Sequence, residues 1–342
     1  MRPYERDPER ILILKPSSLG DIIHSLPTLA AIRERFPKAF IGWLVKQEWA
    51  GILDGHPCLD ELLSFSFKLN SIGPMVRKIR KHRFDLILDL QGLLRTGLLG
   101  YLSGTAVRIG FEDGREFSPL FYTHRVKADK NNLHAVDRYL LIARELGAKS
   151  DQKRFDIFLT EQDQARVQKM VRLACGDRPI LAIHTSARQE IKRWPPEKFA
   201  QLADKINQAG WGVPVFTGAK NDVQDISMIR ERMKTGSVDL AGQTSLKELA
   251  VLLKMSRVLI TNDSGPMHLA AAVGTPVVAI FGPTDPRKIG PYGKGHVVLQ
   301  HTGECSACRT GRKGTHSCLE AISVEEVIET VKNLLRRIDH GN

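Results

Sequence analysis

One short segment near the N-terminus combines a carboxylate with a compact loop, KPSSLGD at residues 15–21. It follows an apolar run that begins at Ile11 and precedes apolar residues at helical spacing, so we expect it to join a strand to a helix. Asp21 then lies in the first turn of that helix, where Gly20 permits another molecule to approach the backbone closely. A carboxylate here could accept a proton in a reaction. The alternative is a carboxylate that only caps the helix.

A second segment, TNDSGPMH at residues 261–268, also runs from an apolar strand into a helix. The N–H groups around Ser264 and Gly265, with Pro266 at the first turn, are typical of an anion site at a helix N-terminus. An ordinary capped helix explains the same residues equally well, since Asp, Ser and Pro are common at such ends. His268 lies in the same first turn and is either a functional residue or a packed or capping side chain.

Two adjacent cations, Lys192 and Arg193, follow the predicted strand that ends at His184. A lysine ammonium and nearby hydroxyl donors suit a diphosphate, although a solvated basic loop would look the same. The GxGxxG and GxxxxGK[ST] patterns do not occur in the sequence, which weakens a dehydrogenase or an NTPase interpretation.

Composition excludes several classes of protein. The chain has 342 residues, of which 42% are apolar, and 50 Lys plus Arg against 38 Asp plus Glu give a net charge of +12. A disordered chain is excluded, and an anionic partner is expected. The charged N-terminus and the lack of a long apolar run predict neither a secretory signal nor a membrane span, so we expect a cytoplasmic protein. Only 6% of residues are aromatic, which argues against a nucleic-acid-binding module.

Strands and helices alternate along the chain. In the first half, strands are predicted at 11–15, 40–45 and 84–90, with a helix at 75–83. In the second half, five strands separated by helices are predicted at 180–184, 213–217, 238–240, 258–261 and 277–281, and an amphipathic helix at 324–338. This alternation predicts an α/β protein of two doubly wound, Rossmann-like domains that bind ligands at the carboxyl ends of their strands.

The chain resembles the bacterial ADP-heptose lipopolysaccharide heptosyltransferases, which are inverting glycosyltransferases of family nine with the GT-B fold. The resemblance rests on KPSSLGDIIHSLPTL, DLILDLQGLLRTGLL, KRWP, LAGQTSLKEL, TNDSGPMHLAAAVGTPVVAIFGPTDP and IGPYG. The segments SSLGD, DLQGL, GREFSPLFY and TDPRKIGPYG are most similar to heptosyltransferase I, which adds the first heptose to the Kdo sugar of the inner core.

The resemblance implies a domain plan and a reaction. Residues 1–165 would bind the acceptor, residues 166–322 would bind the ADP-sugar, and residues 323–342 would form a helix that crosses back to the first domain. The enzyme would transfer heptose from ADP-heptose to Kdo-lipid A in lipopolysaccharide biosynthesis, at the cytoplasmic face of the inner membrane, without a resident cofactor. Heptosyltransferase II, a protein heptosyltransferase and a non-catalytic sugar-nucleotide binder are the alternatives.

The resemblance also implies roles for individual residues. Asp21 would be the catalytic base, and Lys192 would stabilise the departing ADP. The donor would be bound by Ser186, Asp222, Thr244, Asp263, Ser264, Gly265 and His268. The acceptor would be bound by Ser18, Gly20, Arg95 and Arg115. The sequence departs from the family at Asp222, where Glu is usual, and in a longer loop at 184–192.

A cysteine cluster near the C-terminus has the spacing of a metal site. It consists of Cys305, Cys308 and Cys318, with His316 nearby. Family relatives usually have a fourth cysteine that is missing here. A surface loop of reduced thiols is therefore favoured over a bound metal, and transfer should not need one.

Overall fold

A computed structural model describes residues 4, 6–66, 72–128, 133–149, 151–301 and 317–341. The chain divides into two compact units, Met1–Phe158 and Leu159–Asn342. The sequence predicts a boundary at residue 165, which lies inside helix Glu161–Cys175. The division after Phe158 places that helix wholly in the second unit. In the described part of the chain, no helix is long and apolar enough to cross a membrane.

The first unit contains a six-stranded parallel sheet in the order β3-β2-β1-β4-β5-β6. Its strands are β1 Arg10–Leu14, β2 Phe40–Lys46, β3 Glu61–Phe65, β4 Leu86–Asp89, β5 Val107–Phe111 and β6 His124–Val126. The described helices are α1 Leu19–Arg35, α2 Gln47–Ala50, α3 Ile72–His82, α4 Leu94–Leu102 and α5 Ala135–Glu145, with a 3₁₀ turn at Ser118–Phe121. Strands β1 and β4 are buried over nearly their whole length and are mostly apolar, as is typical of a parallel sheet with helices on both faces.

The second unit repeats this architecture with the order β12-β11-β10-β7-β8-β9. Its strands are β7 Ile180–His184, β8 Val213–Thr217, β9 Val238–Asp239, β10 Val258–Asn262, β11 Val277–Phe281 and β12 Val297–Gln300. Its described helices are α6 Glu161–Cys175, α7 Pro196–Gln208, α8 Val223–Glu231, α9 Leu246–Met255, α10 Gly265–Ala272, α11 Pro286–Ile289, α12 Ser317–Ala321 and α13 Val324–Asp339.

The amphipathic C-terminal helix α13 buries its apolar face in the core of the second unit. Val327 and Val331 join the same buried cluster as Trp194 and Phe199, which lie beside and within α7. The predicted helix at 324–338 is thus present with nearly the same bounds. Its predicted crossing to the first domain stays a prediction.

The two-sheet α/β architecture predicted from the sequence is confirmed. Each sheet contains more strands than the sequence indicates: β3, β5 and β6 in the first unit and β12 in the second. Three of these strands, β3, β6 and β12, lie at sheet edges, where fewer apolar residues are needed and the sequence signal is weak.

Candidate active site

The first candidate site lies where the strand order of the first sheet reverses direction. Strand β1 pairs with β2 on one side and with β4 on the other, and the chain leaves toward β2. In a doubly wound sheet, ligands bind outside the carboxyl ends of the strands at such a switch point. The residues at this point are those that follow β1, among them Lys15 and Asp21, and those that follow β4.

Asp21 uses its two carboxylate oxygens differently. Oδ2 accepts hydrogen bonds from the backbone N–H and the hydroxyl of Ser18, at 3.1 and 3.0 Å. Oδ1 accepts from the hydroxyl of Tyr139 at 3.0 Å and lies 3.7 Å from Nζ of Lys15. Asp21 is therefore both the helix cap that its position allows and a member of a charged cluster. Its side chain stays 40% exposed, so a substrate hydroxyl can reach it.

Lys15 and Tyr139 are the buried members of that cluster. Nζ of Lys15 donates to the hydroxyl of Tyr139 at 2.8 Å and to the carbonyl of Leu90 at 3.1 Å, and the lysine is almost completely buried. Tyr139 therefore accepts from the ammonium and donates to Asp21. Burial lowers the pKa of Lys15, while the neighbouring carboxylates oppose that shift.

The pKa of Asp21 lies below its ordinary value although the carboxylate is partly buried. Burial by itself raises the pKa, but the charge of Lys15 and the hydrogen bonds from Ser18 and Tyr139 together outweigh it. Asp21 is consequently ionised at neutral pH. An ionised carboxylate that solvent can reach is able to take a proton from a hydroxyl group whose acidity rises during bond formation.

Asp89 is buried and stabilises the loop that follows β4. Its buried carboxylate accepts from the backbone N–H groups of Gln91 and Gly92, at 2.9 and 3.0 Å, and from the hydroxyl of Tyr122 at 2.8 Å. Burial raises its pKa, and these hydrogen bonds oppose the rise. The predicted DLQGL segment is thus held in a fixed turn beside the Asp21 cluster.

The predicted acceptor residues fall into two groups. Ser18 and Gly20 lie at the start of α1, and Ser18 contacts Asp21 directly. Arg115 is exposed, and its backbone N–H donates to the carbonyl of Gly92 at 2.9 Å, in the turn that follows β4. Arg95 is exposed in the first turn of α4. The structure therefore places Arg115 near the Asp21 cluster.

Replacing Tyr139 with Phe should shift the pH dependence of the reaction. The variant removes a hydrogen bond that favours the ionised form of Asp21, so the pKa of Asp21 rises. Activity that needs ionised Asp21 is lost as the pH falls through this pKa. The acidic limb of the kcat profile should therefore move to higher pH. The measurement is kcat against pH for both proteins, and an unmoved limb with only a lower plateau would show that Tyr139 does not act through Asp21.

The second candidate site lies at the equivalent switch point of the second sheet, where β7 pairs with β8 and β10. Lys192 donates from Nζ to Oδ2 of Asp263 at 2.7 Å. The hydroxyl of Thr284, which follows β11, donates to the same oxygen at 2.7 Å. Asp263 is buried, and Lys192 keeps 18% of its side chain exposed. Because an ammonium group has three N–H donors, Lys192 can donate to a bound anion while it also neutralises the buried Asp263 carboxylate.

Trp194 and Asn262 fix the loop that contains Lys192. The Trp194 ring is buried, its Nε1 donates to the carbonyl of Ile322 at 3.0 Å, and it contacts Phe199 edge to face. The side chain of Asn262 accepts from the backbone N–H of Trp194 at 3.0 Å and donates to the carbonyl of Thr185 at 2.6 Å. These contacts connect the KRWP loop to the ends of β10 and β7, so they set where Lys192 lies.

The helix that follows Asp263 begins with backbone N–H groups directed to this edge. Helix α10 starts at Gly265 with Pro266 in its first turn, as the sequence predicts. The Ser264 hydroxyl contacts the hydroxyl of Thr261 at 3.1 Å and does not cap the helix. His268 is buried in the first turn. The segment therefore has the helix N-terminus that an anion site requires, and the anion site itself stays a prediction.

The remaining predicted donor residues follow the neighbouring strands. Ser186 is buried just after β7, and Thr244 lies between β9 and α9. Asp222 accepts from the N–H of Ala219 at 2.7 Å, and its charge reaches His184. Burial lowers the pKa of His184, whose Nδ1 hydrogen-bonds to the carbonyl of Thr217 at 3.0 Å and therefore carries the proton. Direct hydrogen bonds join Lys192, Asp263 and Thr284, whereas the strand order alone places Ser186, Asp222 and Thr244 along this edge.

Of the cysteine cluster, Cys318 alone lies within the described residues. Cys305, Cys308 and His316 lie outside the described residues, and the Cys318 side chain is buried. Within the ranges that the structure describes, no three His, Cys, Asp or Glu side chains are arranged to hold a metal ion. The expectation of no metal at Cys305, Cys308 and Cys318 stays a prediction.

Sequence reasoning missed three residues of these sites. Lys15 could have been found from the sequence, because it directly follows an apolar strand. A lysine in that position is buried, which is unusual for lysine. Thr284 lies in the FGPTDP segment next to a predicted strand end. Tyr139 carries no local signal, since 118 residues separate it from Asp21.

Comparison with known proteins decides the family. Residues 72–317, more than half of the chain, match the model of glycosyltransferase family 9 (heptosyltransferase). The chain belongs to glycosyltransferase family 9. It is therefore a glycosyltransferase, and the family resemblance noted in the sequence is confirmed.

Members of this family align over nearly the full chain. Lipopolysaccharide heptosyltransferase 1 of Campylobacter coli is 28% identical, and the alignment covers 95% of this chain and 98% of that protein. Lipopolysaccharide heptosyltransferase 1 of Escherichia coli K12 is 28% identical over 85% of this chain and 93% of that protein.

Solved structures of the family have the same fold. A family 9 glycosyltransferase from Veillonella parvula superposes with a TM-score of 0.84 at 26% identity, covering 96% of this chain and 97% of the other. Escherichia coli ADP-heptose heptosyltransferase II superposes with a TM-score of 0.81 at 25% identity, covering 96% and 99%. The predicted GT-B fold is confirmed by these structures.

Proposed function

We propose that this glycosyltransferase moves a heptose from ADP-heptose to the Kdo sugar of a lipid A precursor, with inversion at the anomeric carbon. The observation that carries the proposal is the ionised, solvent-accessible Asp21, held by Lys15 and Tyr139 at the switch point of the first sheet. A sugar-nucleotide binder without activity has no need of a positioned base.

The donor is proposed to bind at the edge of the second sheet. The diphosphate would take hydrogen bonds from Ser186 and from the N–H groups around Ser264 and Gly265, and charge compensation from Lys192. Asp263 would meet the heptose hydroxyls and His268 the phosphate. The ribose would lie by Asp222 and the adenine by Thr244. The similarity to Escherichia coli ADP-heptose heptosyltransferase II, at 25% identity, supports ADP-heptose as the donor.

The chemical step is a single displacement. Asp21 removes the proton from the acceptor hydroxyl while that oxygen attacks the anomeric carbon. The bond from that carbon to the diphosphate oxygen breaks through an oxocarbenium-like state, as in inverting glycosidases. ADP leaves with the bonding electrons, and Lys192 and the α10 N–H groups stabilise its charge. The proton passes from Asp21 to solvent. No resident cofactor takes part.

The acceptor is proposed to be acidic and lipid-linked. Arg95 and Arg115 would meet the Kdo carboxylate or a lipid A phosphate, which favours the activity of heptosyltransferase 1 over that of heptosyltransferase 2. The enzyme would work in the cytoplasm, peripherally on the inner membrane.

Product analysis tests this choice of acceptor. The enzyme is incubated with ADP-heptose and either Kdo-lipid A or the same lipid already carrying one heptose, and the products are weighed by mass spectrometry. Addition of one heptose to Kdo-lipid A alone supports the proposal. Addition only to the heptosylated lipid would assign the second transfer instead.

A further inference from the structure

Four large apolar side chains lie in solvent on one part of the first unit. Phe117 is 78% exposed, Leu120 71%, Tyr101 56% and Leu94 42%. Leu94 and Tyr101 are seven residues apart on α4 and share one helix face. Phe117 and Leu120 belong to the neighbouring turn. Clustered exposed side chains of this size mark an interaction surface rather than ordinary surface scatter.

Contacts hold these residues in one contiguous surface. The Tyr101 ring lies 5.9 Å from that of Phe121, and the N–H of Leu94 donates to Glu116 at 3.3 Å. A Cβ on Gly97 would meet Phe121 at 3.1 Å, so α4 and the turn touch closely. Glu116 and Phe117 adopt left-handed backbone, with φ 54° and 60°, which is costly for residues other than glycine. The fold keeps this loop while leaving the Phe117 ring in water.

A basic helix lies beside the apolar surface. Helix α3 carries no acid and four exposed cations, and a fifth follows one residue past its end. They are Arg77, Lys78, Arg80, Lys81 and Arg83. Nε of Arg80 donates to the carbonyl of Leu102 at the end of α4, at 3.0 Å. A cleft of about 290 Å³ between the two helices is lined by Arg80, Arg83, Ser103 and Thr105. The cationic and apolar parts are therefore adjacent.

We infer that α3, α4 and the turn Ser118–Phe121 form the surface by which this enzyme docks on an anionic lipid bilayer. Stable interfacial binding needs both an apolar insertion and a basic patch, and this face supplies both. A second copy of the chain fits less well, because a two-fold contact here would bring the basic helices of both copies together. Near the patch, Glu61 faces Lys78 at 3.7 Å and Glu116 contacts Leu94, so the balance of charge stays positive.

The surface also explains how a lipid-linked acceptor would reach the base, which rests on the proposed function. The backbone N–H of Arg115 donates to the carbonyl of Gly92, in the turn that Asp89 holds beside the Asp21 cluster, and Phe117 follows two residues later in the same loop. Docking through Phe117 and Leu120 therefore sets the headgroup layer next to the acceptor residues. The lipid need not leave the bilayer for its sugar to approach Asp21.

Vesicle sedimentation without donor or acceptor tests the inference. Wild type should bind vesicles of phosphatidylcholine with one quarter phosphatidylglycerol and should bind pure phosphatidylcholine weakly. Arg77→Glu with Lys81→Glu should lower the partition coefficient by on the order of 20-fold, since each basic residue contributes about fivefold. Phe117→Ser with Leu120→Ser should lower it at least as much, because it removes two large apolar side chains from the inserted surface. Matched controls in the second unit, Leu173→Ser and Lys169→Glu, change exposed residues of the same types and should bind as wild type does.

Transfer assays separate this inference from the proposed function. The Phe117→Ser, Leu120→Ser variant should lose transfer to Kdo-lipid A in vesicles and keep transfer to the deacylated, water-soluble acceptor. Unchanged vesicle binding by both double variants would overturn the inference, as would a wild-type dimer that the Phe117 variant dissociates. If the enzyme binds vesicles as expected but transfers heptose to neither acceptor, the docking inference holds and the proposed function is refuted.

Discussion

Asp21→Asn should lower kcat for heptose transfer by about 10³ while leaving the affinity for ADP-heptose unchanged. The amide cannot accept the hydroxyl proton, whereas the proposed donor groups belong to the second unit. The amide oxygen can still accept the hydrogen bonds from Ser18, so α1 keeps its cap. The buried Lys15 loses its charged neighbour, so the melting temperature should also fall. Steady-state kinetics and ADP-heptose titration measure the two effects.

A second helix provides the matched control. Asp163 occupies the same position in α6 and accepts from the N–H and the hydroxyl of Thr160 at 2.9 and 2.6 Å. Asp163→Asn therefore changes an equivalent cap without touching the proposed base, and it should keep wild-type kcat. Full activity of Asp21→Asn would show that Asp21 serves α1 as a cap and is not the base.

Lys192→Met should lower kcat/KM for ADP-heptose by about 10²–10³, the usual effect of removing one group that stabilises developing negative charge. The variant leaves Asp263 buried with only Thr284 as a described side-chain donor. We expect it also to lose about 1–3 kcal/mol of unfolding free energy, because an unpaired buried carboxylate is costly. Kinetics and denaturant unfolding measure the two losses separately.

A double variant distinguishes the electrostatic role from the structural one. Lys192→Met with Asp263→Asn removes both charges, so it should recover much of the stability and none of the activity. Recovery of activity together with stability would mean that Lys192 acts only by neutralising Asp263. Lys192→Arg, which keeps the positive charge, should retain more activity than Lys192→Met.

The sequence predicted those parts of the sites that local pattern determines. Asp21, Lys192 and Asp263 each follow a strand whose carboxyl end lies at a switch point, and the strand and loop patterns are local. The two readings of Asp21, base or cap, prove compatible, because one carboxylate oxygen caps α1 and the other faces Lys15. The sequence could not show this division, since it depends on the position of Tyr139.

Contacts that depend on packing between distant segments were beyond the reach of the sequence. The buried Lys15 acquires its partners from β4 and α5, and Thr284 reaches Asp263 only because β10 and β11 pair in register. The exposure of Phe117 likewise follows from the left-handed backbone of its loop, which no propensity of Glu or Phe indicates.

Release of ADP from ADP-heptose, with and without Kdo-lipid A, is the measurement that tests the central claim most directly. The account predicts release by the wild type that depends on the acceptor and that falls by about 10³ in Asp21→Asn, with donor binding retained. ADP-heptose binding that Kdo-lipid A does not convert to release would contradict the acceptor assignment. Failure to bind ADP-heptose at all would contradict the donor assignment.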